Sequence, residues 1–282
     1  MAATSAGPRL EALRRKELAR SYEDGGEHYD RIRPGYPDDA VHWLFSGADG
    51  SCAGGPAVEA GAQVADVGAG TGKYTRLLVA AGYRTTAVDP SADMLRQLRQ
   101  ALPDVPVTVG TAEATGLPTA SMDAVTVAQA WHWCDPIAAS TELARVLRPG
   151  GILGLIWNQL DVSVPWVHRY SRIIHAGDVL RPGFRPVVGP EFLPQASHTS
   201  AWTQRMTPED LMELAKSRSY YLSANEATRA KVLANLTWYL FDHLGYQPGQ
   251  PLDLPYLTLS WRVVPSSAVP PLPVPGRVSP VV

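Results

Sequence analysis

The chain has 282 residues, of which 45% are hydrophobic and 18% charged, and its formal net charge is −2. This length suits one large α/β domain or one domain with an appended lobe, and the charge offers no electrostatic footprint for nucleic acid. Two cysteines, Cys52 and Cys134, exclude a disulfide framework or a zinc cluster. The N-terminus turns charged before any apolar run, unlike a signal peptide, and the longest apolar run, Gly150 to Trp157, is too short to cross a bilayer. A soluble, cytoplasmic protein is expected.

Met1 to Gly7 is small and polar and should fray. Pro8 to Tyr22 reads as an amphipathic surface helix with Leu10, Leu13 and Leu18 on one side. Pro34 and Pro37 then hold His28, Tyr29, Arg33 and Tyr36 on a loop, the kind of setting in which such residues serve function. For Arg33 a structural ion pair competes with ligand contact, and for the tyrosines simple packing does. Asp38 and Asp39 open a helix with Val41, Leu44 and Phe45 inward, and 47–61 is a small-residue linker.

The decisive stretch is Val64 to Pro90. An apolar run interrupted by Asp66 leads into Gly68-Ala69-Gly70-Thr71-Gly72, followed by a helical stripe of Tyr74, Leu77, Leu78 and Ala81. Gly82 caps that helix, and Arg84 to Val88 is a second strand closed by Asp89 and Pro90. The glycines let a ligand touch the backbone, the helix amides point into the same space, and Asp89 can accept hydrogen bonds from the hydroxyls of a ribose. The ligand is therefore an adenosine-like cofactor. A dinucleotide fingerprint needs a third glycine at position 73, where Lys73 stands, so a nicotinamide cofactor is disfavoured.

Downstream, Ser91 caps a helix that turns Met94, Leu95, Leu98 and Leu102 inward, and Val105 to Val109 forms a third strand. The fourth strand spans 121–130, with Asp123 at its entry, and ends in the aromatic tip Gln129-Ala130-Trp131-His132-Trp133. Sites in open parallel sheets lie beyond the carboxyl ends of the strands, which makes this tip the candidate wall between cofactor and substrate. His132 either exchanges a proton with a substrate or simply packs between the two tryptophans. Helices follow at Pro136 to Leu147, Trp166 to His175, from Thr207 with Leu211 and Leu214 inward, and at Asn225 to Leu244. Strand five is Ile152 to Trp157, Tyr256 to Val264 alternates as a last, antiparallel strand, and the Pro-rich tail from Pro265 is expected to be disordered.

The alternating glycines with Asp66 ahead of them resemble motif I of the class I S-adenosylmethionine (SAM) methyltransferases. The run V-D-P-S-x-x-M-L, the tip A-x-A-x-H-W and the L-R-P-G-G turn before strand five are similar to the UbiE-like, type 11 branch, including proteins related to trans-aconitate methyltransferase. The resemblance implies a Rossmann-like sheet of seven mostly parallel strands with an antiparallel last strand, helices on both faces, N-terminal helices and a helical lid. Its boundaries would be 1–46 for a cofactor-covering segment, 47–264 for the methyltransferase domain with a lid at about 160–245, and 265–282 for the tail.

The same resemblance implies SAM as cofactor and S-adenosylhomocysteine (SAH) as product. The cofactor would meet Tyr29, Arg33, Tyr36, Asp66, Gly68, Ala69, Gly70, Thr71, Gly72, Asp89, Pro90, Met94, Thr111, Ala112, Glu113, Ala128 and Gln129. Met94 also fills its helix face, and Glu113 could instead cap a turn. The acceptor would meet Trp131, His132, Trp133 and Tyr220, with His132 as the candidate base. Neither the N/D-P-P-Y/F/W tetrad nor the Pro-Cys nucleophile of nucleic-acid methyltransferases is present, so methylation at O, N or C of a small molecule is expected. Alternatives are a non-catalytic SAM/SAH-binding protein and a nicotinamide-dependent oxidoreductase.

Overall fold

The structure, a computed structural model, describes residues 32–46, 57–176 and 183–266. The helix expected at Pro8 to Tyr22, the candidate residue Tyr29, most of the 47–61 linker and the tail from 267 lie outside the described residues.

A seven-stranded sheet organises the molecule. Its strands are β1 (Gln63–Val67), β2 (Arg84–Asp89), β3 (Val107–Val109), β4 (Met122–Ala128), β5 (Leu147–Leu160), β6 (Phe192–Met206) and β7 (Leu252–Pro265), in the spatial order β3-β2-β1-β4-β5-β7-β6. β1 to β5 run parallel, while β7 lies antiparallel to both β5 and β6. This is the Rossmann-like sheet that the glycine turn and the alternation of strands and helices imply. Strand order reverses between β1 and β4, so their carboxyl ends open the crevice where ligands bind in such sheets. Asp123 at the start of β4 holds that region in register, accepting from the Gln63 amide at 2.8 Å and from Arg148 at 2.7 Å.

The helices are α1 (Asp38–Ser46), α2 (Lys73–Ala80), α3 (Ala92–Ala101), α4 (Pro136–Val146), α5 (Pro165–Ile173), α6 (Pro208–Lys216), α7 (Ser219–Ser223) and α8 (Glu226–Thr237). β4 and β5 are buried on both faces because helices cover each side, which explains their almost unbroken apolar sequences. On one face Leu44 and Phe45 of α1 and Tyr74 and Leu78 of α2 pack against Ile152 and Ile156. On the other, Leu143 and Val146 of α4 join Trp131, Trp157 and Trp261. Gly154 has no side chain because Leu44 occupies that space. A separate core beyond the carboxyl ends gathers α5, α6 and α8 around Leu160, Tyr256 and Ile32.

Several boundaries differ from the sequence reading, for physical reasons. β6 runs through the interval expected to form a lid; its Pro194 argues against a strand, but an edge strand tolerates proline at a bulge, and the pairing register shifts between Pro194 and Ala196. β7 is longer than expected at both ends because β6 pairs along it from Leu252 to Pro265. The helix expected as far as Leu244 leaves α geometry after Thr237 and widens into a π-helix at Trp238–His243. There the Trp238 and His243 rings, five residues apart, stack with centroids 5.2 Å apart, which a five-residue turn permits.

Candidate functional site

The glycine turn between β1 and α2 divides its labour among three positions. A Cβ on Gly68 would collide with the Ala130 side chain, and one on Gly72 would stand 2.9 Å from Leu98 Cγ, so these two glycines serve close packing. Gly70, with φ of +56°, faces open space: a Cβ there meets no atom within 4 Å. The turn thus presents bare backbone to open space at Gly70. α2 begins at Lys73, and its N-cap Gly72 supplies no side-chain cap.

Asp89 and Asp66 support this turn from two depths. Asp89 ends β2, with Oδ2 accepting from the Gly70 amide at 2.9 Å and Oδ1 from the Ser91 amide at 2.8 Å. A carboxylate has about four acceptor lone pairs, so two backbone donors leave it able to accept from two hydroxyls. Burial raises its carboxyl above the usual range against the pull of the two amides. Asp66 sits beneath, only 1% exposed, accepting from Thr75 at 2.7 Å and from Thr126 at 3.1 Å. Burial pushes its carboxyl up to about 6, with the two hydroxyls opposing and Asp89 adding repulsion. Asp66 therefore ties α2 and β4 to β1 under the turn.

The other expected residues surround this centre at different distances. Tyr36 packs its ring edge-on to Tyr74 of α2, centroids 5.0 Å apart, which sets the segment from Arg33 to Tyr36 beside the first turn of α2. Arg33 reaches away toward the outer helices and donates to the Ser217 carbonyl at 2.5 Å. Pro90 is exposed, while Thr71, Met94 and Ala112 are buried and Ala69 lines the core under α3. Thr111 is exposed, and Glu113 accepts from the Asp135 amide at 2.8 Å, joining the loop after β3 to the start of α4.

At the tip of β4, Ala128 is buried and Gln129 is left-handed, with φ of +54°. The Gln129 amide donates to the Ile156 carbonyl at 2.8 Å and its side chain to the Asn158 carbonyl at 2.7 Å. Trp131 turns into the core, 5% exposed, and its indole donates to the Val187 carbonyl at 2.9 Å. His132 is exposed with its ring 4.8 Å from that of Trp133, and Trp133 is half-buried. Tyr220 stacks on His175 at 3.9 Å in the outer helical layer. The tip therefore offers His132 and Trp133 outward, whereas Trp131 anchors it.

A family model described as a methyltransferase domain matches residues 65–155, which run from β1 through β5. The chain is 41% identical over 249 residues to the uncharacterized methyltransferase Rv3342 of Mycobacterium tuberculosis, covering 88% of this chain and 97% of that one. This chain belongs to the class I SAM-dependent methyltransferases. A methyltransferase-like protein of Schizosaccharomyces pombe is 31% identical over 215 residues, 74% of this chain and 81% of its own. Among solved structures, a proposed type II methyltransferase of Anaeromyxobacter dehalogenans superposes with a TM-score of 0.63 at 27% identity, covering 83% of this chain and 97% of that one.

Within this methyltransferase, sequence reasoning passed over the residues that brace the site. Thr75 and Thr126 donate to Asp66, Asn158 donates to the Gly35 carbonyl, and Thr258 donates to Asn158. Thr126 left a signal, a hydroxyl in the middle of the buried apolar strand β4, where an inward polar group must find a partner. Among the described residues no helix is long and apolar enough to cross a membrane.

Proposed function

We propose that this methyltransferase binds SAM in the crevice between β1 and β4 and transfers its methyl group to O, N or C of a small acceptor molecule held beside His132 and Trp133. The observation that carries the reading is Asp89: a buried carboxylate at the end of β2, hydrogen-bonded to the Gly70 amide of the turn, with acceptor capacity left for the two ribose hydroxyls. The open space at Gly70 supports it, since an adenosyl group can lie against that backbone.

When bound, SAM supplies a methyl group already activated on a sulfonium centre. The chain's own task is then alignment and exclusion of water, which can be worth effective molarities on the order of 10⁵ M. Asp89, held by the Gly70 amide, would orient the ribose, the Gly68 to Gly72 turn would set its depth, and Tyr36, packed on Tyr74, would close that side. Exposed at the tip, His132 is placed to accept a proton from an acceptor hydroxyl or amine. A small acceptor suits the near-neutral charge and the absence of a nucleic-acid tetrad. Calorimetric titration of the purified protein with SAM, SAH and NAD in parallel tests the cofactor. Micromolar binding of SAM and SAH alone is expected, and binding of NAD, or of none of the three, would overturn the reading.

A further inference from the structure

Asn158 lies near the carboxyl end of β5, directly after the buried run from Gly151 to Trp157, and outside the motifs described above. Three of its groups are engaged by three different parts of the chain. Its side-chain oxygen accepts from the Thr258 hydroxyl on β7 at 2.5 Å, and its side-chain amide donates to the Gly35 carbonyl at 2.7 Å. Its backbone carbonyl accepts from the Gln129 side chain at 2.7 Å. Thr258 is in turn held by the Trp202 indole of β6, which donates to it at 2.8 Å, and the Trp202 ring stacks on Tyr256 at 5.1 Å.

These bonds leave the amide of Asn158 a single orientation. The Gly35 carbonyl can only accept, so the NH₂ must face it, and the oxygen then meets the Thr258 hydroxyl. Thr258 is fully buried and braced on its far side by Trp202, so the Asn158 side chain is fixed before it reaches Gly35. Gly35 lies between Arg33 and Tyr36, in the segment whose Tyr36 packs against Tyr74 at the start of α2. Gln129, on the other side, holds a left-handed backbone that an ordinary side chain adopts only when its surroundings impose it. Asn158 is where the segment beside the cofactor turn and the tip beside the acceptor are tied to one strand.

We propose that Asn158 is a positioning residue, which fixes the Arg33–Tyr36 segment over the cofactor crevice by its hydrogen bond to Gly35 while its backbone holds Gln129. It acts through those segments and touches neither reactant. The inference rests on the reading of the crevice as the SAM site. A side chain that only stabilised the fold would affect melting and leave the local order of residues 32–46 and the cofactor affinity in step with it. A positioning residue separates them.

The test compares wild type with Asn158→Asp and Asn158→Ala. The aspartate keeps the acceptor for Thr258 but sets an oxygen against the Gly35 carbonyl; the alanine removes both bonds. Hydrogen–deuterium exchange is measured without cofactor and SAH affinity by calorimetry. Expected are faster exchange confined to the peptide covering 32–46, a roughly tenfold weaker SAH affinity in both variants, and a melting temperature lower by only about 2–6 °C. Unchanged exchange in that peptide, or faster exchange throughout the sheet with a matching fall in melting temperature, would overturn the proposal, as would wild-type SAH affinity in both variants. If wild type itself took up no SAH, the SAM reading would fall, and the exchange comparison would still decide whether Asn158 holds the segment.

Discussion

Replacing Asp66 by asparagine should make the protein more stable at neutral pH. The carboxyl is 1% exposed, and burial lifts its pKa from 3.8 to about 6. Below 3.8 it is protonated in both folded and unfolded chains and contributes no difference. Between 3.8 and about 6 the unfolded chain gives up the proton while the folded chain keeps it, so stability falls as pH rises. Above about 6 the folded chain carries a buried carboxylate, and the full cost is on the order of 3 kcal/mol. Asparagine has the same shape, accepts from one threonine hydroxyl through its oxygen and can donate to the other through its NH₂. Urea unfolding of both proteins between pH 4 and pH 7 should therefore show the variant gaining about 2 kcal/mol on wild type across that range. A difference that stays constant with pH, or one that shifts in favour of wild type as pH rises, would refute the argument.

Three further substitutions separate the parts of the turn. Asp89→Ala removes charged acceptors for the ribose and should weaken SAH binding by about 1.5–3 kcal/mol in calorimetry; unchanged affinity would locate the ribose elsewhere. Gly70→Val points into open space, so the chain should still fold, at a cost of about 1–2 kcal/mol for the positive φ, yet lose SAH binding; normal uptake would contradict the placement of the cofactor. Gly68→Ala should destabilise by about 1–3 kcal/mol through collision with Ala130. Combining it with Ala130→Gly should restore part of that loss, and strictly additive effects would disprove the contact.

What was legible in the sequence was what local chemistry determines. The glycines of the turn are legible because positive φ and close approach both demand them, and Asp89 is legible as the acid that closes β2 beside that turn, where its carboxylate accepts from the Gly70 and Ser91 amides. Ser91 reads as a cap from its place before an amphipathic run, and its hydroxyl does accept from the Met94 amide at 3.3 Å. The hidden part consists of pairings across long stretches of chain. Asp66 finds Thr126 on a strand 60 residues on, and Asn158 finds Thr258 100 residues on and Gly35 123 residues back. Trp131 stands in an aromatic tip that reads as a ligand wall, yet the gain from burying so large an apolar surface turns it into the core. β6 is hidden because Pro194 obscures a strand whose partner residues on β7 lie between 46 positions (Met206 and Leu252) and 73 positions (Phe192 and Pro265) away along the chain.

The touching of Gly68 and Ala130 has a consequence for anyone redesigning this enzyme. One partner belongs to the glycine turn after β1 and the other to the tip after β4, so the two sides of the crevice meet through two small residues. On the proposed reading of the crevice, a library that varies position 130, next to Gly68, is expected to trade acceptor choice against cofactor grip in the same variant. Acceptor choice would, on the same reading, be varied first at positions 132 and 133, further along the tip.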